Sequence, residues 1–181
     1  MRLRPAVFSL VLLAAPAAQA ARPFVTDDAR IVDKGGCQIE TFVKRQRRVD
    51  ETEFWFMPAC NSWGAELTAG HIRVDSTPNG DTRTTLLQAK MMLRPLTTNG
   101  AGFALTLGTL LGRTSNPYFN AIGSLSIAND RVVLHGNLGG IRDNLAHVSR
   151  GTWGAGAEIL LIAPRLYGIV ESYGQRGEKP T

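Results

Sequence analysis

Three groups of residues have types and spacings that could do chemistry. Ser124, Ser126 and His135 fall on consecutive apolar–polar runs, where a hydroxyl and an imidazole on neighbouring strands could meet as nucleophile and base. Gly154 and Gly156 begin a dinucleotide-type spacing, but the last glycine of G-x-G-x-x-G would fall at Ile159 and no helical pattern follows. His71, His135 and His147 lack the i, i+4 spacing of paired metal ligands. Each group has an ordinary reading: small polar residues facing water, glycines that let a strand bend, and a hydrogen-bonding histidine. The chain is therefore expected not to be an enzyme and to need no cofactor or metal.

The two cysteines, Cys37 and Cys60, pose a sharper question. They close the outer ends of GGCQIETFVKRQRRVDETEFWFMPAC, two bulky runs around a charged loop. As a hairpin, positions summing to 97 oppose each other, so Phe42 meets Trp55, Val43 meets Phe54 and Cys37 meets Cys60. Directly opposed residues lie about 4.5–5.5 Å apart at Cα, within reach of a disulfide. Such a bridge needs an oxidising compartment.

The N-terminus supplies one. Arg2 and Arg4, the apolar run Ala6 to Ala15 and Ala18-Gln19-Ala20 match a signal peptide over residues 1–20, and a run of about ten apolar residues is too short to span a bilayer. Its removal takes two arginines and lowers the net charge from +5 to +3. The run Lys44-Arg45-Gln46-Arg47-Arg48 is answered at once by Asp50, Glu51 and Glu53, which predicts a solvated loop rather than a nucleic-acid surface.

The elements that must carry these residues are strands. Period-two runs occupy 37–45, 53–60, 65–75, 82–94, 102–111, 121–128, 131–141, 152–162 and 165–174. Most are longer than the five or six residues usual in soluble sheets and suit the nine to eleven or so of a tilted membrane strand. Along 82–94, Thr85, Leu87, Ala89, Met91 and Leu93 oppose Gln88, Lys90 and Arg94. Leu134 and Leu138 oppose His135 and Asn137, while Trp153, Ile159 and Leu161 oppose Glu158. The polar set, joined by Glu171, is expected to face a lumen, bracing it by pairing or lining a pore, with the apolar set in outer-membrane lipid. Trp55, Trp63, Tyr118, Phe119, Trp153, Tyr167 and Tyr173 are candidates for interfacial girdles. Connections 46–52, 76–81, 112–120 and 142–151 read as long and the intervening ones, apart from 95–101, as tight turns. Such alternation would put the N-terminus and the disulfide at the periplasmic rim.

ARPFVTDDARIVDKGGCQIETFVKR and EFWFMPACN, with TRTTLLQAKMMLRPL, RVVLHGNLGG, TWGAGAEI and YGIVESYGQRGEKP, resemble a group of Gram-negative outer-membrane β-barrels. The group is classed with transporters assigned to the meta-pathway of phenol degradation. The resemblance implies an all-β antiparallel meander barrel, a transport role and no catalytic residues. It also implies further strands beyond the ninth, so this chain is expected to be C-terminally truncated.

Residues 1–20 are then a signal peptide, 21–36 an N-terminal periplasmic segment, 37–174 a partial barrel and 175–181 a tail. The expected function is a pore or transporter for small solutes, aromatic or hydrophobic ones included, in the outer membrane. The alternatives are a soluble periplasmic β-sheet that binds a ligand or partner, and a barrel enzyme acting on lipids. Nothing in the sequence selects an oligomeric state.

Overall fold

Each period-two run becomes a strand. The computed structural model describes residues 26–46, 50–76, 80–162 and 166–176, so the signal-peptide reading of 1–20 lies outside the described residues. The strands are β1 (Cys37–Gln46), β2 (Glu51–Asn61), β3 (Ala65–Ser76), β4 (Thr82–Arg94), β5 (Ala101–Leu111), β6 (Ser115–Ile127), β7 (Val132–Asp143), β8 (Val148–Ile162) and β9 (Leu166–Gln175). Each pairs antiparallel with its neighbour in the chain. The nine-stranded meander curls into an open half-barrel. Among the described residues no ladder joins β1 to β9, which form its two edges.

The entry hairpin has the register its symmetry predicts: Cys37 opposite Cys60, Phe42 opposite Trp55 and Val43 opposite Phe54. Cys37 and Cys60 form a disulfide. Phe42 and Trp55 stack with ring centroids 5.3 Å apart.

Two expectations about the connections do not hold. Gly112, Arg113 and Thr114 alone join β5 to β6, and residues 144–147 alone join β7 to β8. Both had been expected to be long loops, so the alternation of loop lengths disappears, and with it the ground for assigning the rims. The stretch Ser115-Asn116-Pro117 carries turn-forming residues but continues β6. Pro117 has no N–H to donate, and it pairs only with Thr109 of β5; the ladder to β7 starts one residue later, at Tyr118 opposite Ile141. Beyond that point Asn144 takes over, its backbone N–H donating to Asn116 Oδ1 and its Nδ2 to the Ser115 carbonyl.

The two faces of the sheet are inverted relative to a water-soluble domain. On the convex face Ile39, Phe56, Leu87, Met91, Leu107, Leu134 and Leu138 are exposed, Leu138 to 69%. On the concave face the most deeply buried large side chains are Glu158, Thr26, Thr106 and Ser126. Among the described residues the buried apolar side chains are few, Ala59, Ile72, Leu86 and Val133 besides a cluster of Ala29, Ala104 and Ile122.

Candidate functional site: the concave face and the strap across it

The burial of so many polar groups on a half-open sheet has one cause. Residues 26–33, part of the N-terminal segment 21–36, run across the concave face as a strap without helix or strand structure. Every third amide along it donates to a sheet side chain. Thr26 donates to Glu171 Oε2 at 3.0 Å, Ala29 to Ser124 Oγ at 2.9 Å and Val32 to Glu66 Oε2 at 2.8 Å. The sheet donates in return, Asn137 Nδ2 to the Asp27 carbonyl at 2.9 Å and Asn61 Nδ2 to the Val32 carbonyl at 2.7 Å. Backbone groups that no ladder serves must find partners when buried, and here polar side chains of β2, β3, β6, β7 and β9 supply them.

The charged centre of this arrangement is Lys90 on β4, 4% exposed. Its Nζ lies 2.7 Å from Asp27 Oδ1 and 3.6 Å from Asp28 Oδ1. A second contact to the Asp27 carboxylate comes from Thr106 Oγ1, at 3.5 Å from Oδ2. Burial pushes the Asp27 carboxyl above the ordinary carboxylate range, against the pull of Lys90. The Asp28 carboxylate also accepts the Arg30 amide at 2.8 Å, closing a tight Asp turn next to the clamp.

A second row crosses β6, β7 and β8. Ser124 Oγ lies 2.8 Å from His135 Nδ1, and His135 Nε2 lies 3.5 Å from Glu158 Oε1. Arg30 of the strap reaches the same Glu158 oxygen at 3.6 Å. The order hydroxyl, imidazole, carboxylate is that of a nucleophile, base and orienting acid. Here, however, the His135 side chain is fully buried and the Ala29 amide already donates to Ser124 Oγ. With the strap docked, the row acts as a brace between strands and strap.

The polar residues expected to share one face fall as follows. Lys90, His135, Asn137 and Glu158 are buried beneath the strap, and Glu171 holds its tip. Gln88 is half-buried and accepts a hydrogen bond from the Tyr118 hydroxyl at 2.7 Å. Arg94 departs from the set. A bulge between Met92 and Arg94 sets Arg94 opposite Phe103, in register with the outward face, where it is exposed at the end of β4.

Sequence reasoning missed Asn61, Glu66 and Ser124 as strap ligands, and missed the strap itself. One signal was present: Lys90 had no acidic neighbour in its own alternation, whereas Asp27-Asp28 formed an acidic pair outside every strand.

Glycines mark close approaches. A Cβ on Gly154 would come 2.8 Å from Thr26 Oγ1, so the native Thr26 side chain packs directly on the glycine backbone. Gly108 is likewise overlain by the Tyr118 ring, 2.5 Å from where a Cβ would stand. Among the described residues no group of three or more His, Cys, Asp and Glu side chains is arranged to hold a metal ion.

A family model described as "Uncharacterised conserved protein UCP029691" matches residues 8–181. No curated protein and no solved structure matches the chain.

Proposed function

The chain belongs to this family of uncharacterised conserved proteins, and we propose that it works as an outer-membrane β-barrel protein, a pore or transporter for small solutes. One observation carries the reading: the inversion of the two faces. Leu87, Met91, Leu134 and Leu138 are exposed on the convex side, while Lys90, His135 and Glu158 are buried on the concave side. In water this arrangement forfeits the burial of many large apolar side chains, each contributing about 1.5–3 kcal/mol. In a bilayer the same face meets hydrocarbon, and the polar residues stay away from lipid, where a mid-plane Arg or Lys costs about 2–4 kcal/mol.

Two further features support it. The strands run from 10 to 15 residues, enough for the nine to eleven or so that cross a bilayer, with some to spare. The polar side chains Arg73, Asp75, Asp81 and Arg83 gather around the 77–81 connection, towards the ends of β3 and β4. There Arg73 bonds Asp75 at 2.6 Å and Asp81 at 3.2 Å, as a rim in water would allow. The likeness of the sequence to barrels classed with phenol meta-pathway transporters makes small aromatic compounds the first solutes to try.

The reading also makes a demand. No backbone group in hydrocarbon can go unpaired, so in the bilayer the edges of β1 and β9 must be paired. Membrane fractionation after a high-salt and carbonate wash tests the proposal, with the protein expected in the outer-membrane pellet. Recovery in the soluble periplasm would overturn it and favour a soluble β-sheet that binds a ligand or partner.

A further inference from the structure

We propose that residues 26–33 are a displaceable plug of the lumen, hinged at Gly35–Gly36 and latched by Asp27 on Lys90. The inference rests on the barrel reading above and adds a closing device to it.

The root of the strap is built as a fixed hinge. Gly35 has φ +81° with nothing within 4 Å of where a Cβ would be, a conformation that glycine adopts without strain. Gly36 N–H donates to the Asp33 carbonyl at 2.8 Å and closes the turn. Asn61 grips the hinge from both sides: its carbonyl accepts from Gly35 N–H at 2.6 Å and its N–H donates to the Gly36 carbonyl at 3.0 Å. The Cys37–Cys60 disulfide lies immediately beyond, joining the residues that follow Gly36 and precede Asn61.

The arm differs in kind from the root. Its anchors are hydrogen bonds and ion pairs, and water can replace each of them when the arm lifts. The only strap residue in the buried apolar cluster is Ala29, against Ala104 and Ile122. A segment meant to stay would bury large apolar side chains; this one buries Thr26 and Ala29 and places Asp27 on a lysine. The arm covers Thr106, Ser124, His135, Asn137 and Glu158, a largely polar lining interrupted by Ala104 and Ile122. Lifting it from the hinge exposes that lining to water without breaking any strand ladder.

The test reads access to the lining directly. Thr106, 1% exposed and 3.5 Å from Asp27, becomes the reporter as Thr106→Cys, with the native disulfide left in place. The probe is a small charged methanethiosulfonate, applied to the full chain in three strap states. The first is unaltered, and the second is loosened by Asp27→Ala with Asp28→Ala. The third is locked by Thr26→Cys with Gly154→Cys. The Thr26 Cβ lies 3.4 Å from the ideal Cβ on Gly154, close to the mean of about 3.8 Å across a disulfide.

Labelling should be at least tenfold faster in the loosened protein than in the unaltered one, and at least tenfold slower in the locked one. A locked protein that labels as fast as the unaltered one overturns the plug, even where the loosened pair destabilises the sheet. A Leu87→Cys reporter on the outer face separates this failure from the other: its reaction with the same water-soluble probe would count against the membrane reading, whereas Thr106→Cys alone judges the plug.

Discussion

Replacing Lys90 by methionine keeps most of the side-chain volume and removes the charge that faces Asp27 at 2.7 Å and Asp28 at 3.6 Å. Breaking a fully buried ion pair from one side costs about 3–5 kcal/mol, because the other charge stays behind unpaired. The Lys90 side chain is 5% exposed but that of Asp27 is 34% exposed, so water screens part of the loss and the figure falls to about 2–3 kcal/mol. That free energy acts on strap docking rather than on the nine-stranded ladder, so it appears as local opening. Hydrogen exchange at the amides of Thr26, Ala29 and Val32 reads it directly, since these donate to Glu171, Ser124 and Glu66. Protection there should fall about 30- to 150-fold, at about 1.4 kcal/mol per factor of ten. The sign of the pH effect follows from Asp27, whose pKa burial raises in the docked state. A raised docked value means the docked strap holds its proton more tightly than the free one, so docking weakens as pH rises through that value. In Lys90→Met nothing offsets the burial, so protection should recover on acidification towards the ordinary carboxylate range. Adding Asp27→Asn should restore it at neutral pH. Protection in Lys90→Met within threefold of the parent, or effects of the two substitutions that simply add, would refute the latch.

Non-reducing peptide mapping should recover Cys37 linked to Cys60; with a sequence separation of 23, the chain-entropy contribution is about 3 kcal/mol, and reduction should lower the unfolding midpoint accordingly. Cysteines placed at Leu87, Met91 and Leu134 should react with lipid-soluble reagents, and those at Gln88 and His135 should not; the reverse pattern would count against a lipid-facing convex side. In the turn between β6 and β7, Asp130 accepts hydrogen bonds from Ser126 and Thr98, which hold its carboxyl below the ordinary value. Its contribution to the turn is complete above the ordinary carboxylate pKa and is lost as pH falls through the lowered one. Asp130→Asn should therefore abolish any acid-induced loosening seen by hydrogen exchange at Asn99 and Asn129, and a turn that loosens equally in both proteins would contradict this.

The sheet was legible in the sequence because alternation is a local signal. Nine runs gave nine strands, and the palindromic placing of Cys37 and Cys60 gave a residue-level register. Legibility failed where polar residues did not mean a loop. Ser115 to Asn120 and Val148 to Arg150 read as connections, yet they extend β6 and β8, because at a rim the ladder tolerates Pro117 and side chains such as Asn144 complete it. The bulge that re-aims Arg94 left only a faint mark, Met92 at a polar position between Met91 and Leu93, which does not by itself reveal a register shift. The strap was invisible for a deeper reason. Periodicity reports an element that repeats its environment every two or 3.6 residues, whereas residues 26–33 meet a different strand at each step.

The position of the disulfide follows from this geometry. Among the described residues β1 has a ladder on one side only, and a strand whose edge is unpaired opens first from its end. The end at Cys37 is also where the strap leaves the sheet, through Gly35 and Gly36. If that end frayed, Asn61 would lose its grip on both glycines, and the strap would lose its root along with its register on Lys90, Ser124 and Glu171. A covalent bond one residue past the hinge, from the edge strand to its neighbour, prevents this without adding a covalent tie beyond the hinge itself between strap and sheet. A bridge nearer the charged 46–52 connection would strengthen the hairpin as well but would leave the hinge to hydrogen bonds alone. Reduction of Cys37–Cys60 should therefore lower exchange protection at Gly35 and Asn61 first and at Val32 next, with the β5–β6 ladder unchanged. Equal loss along the whole sheet would mean that the bridge serves the hairpin in general and not the root of the strap.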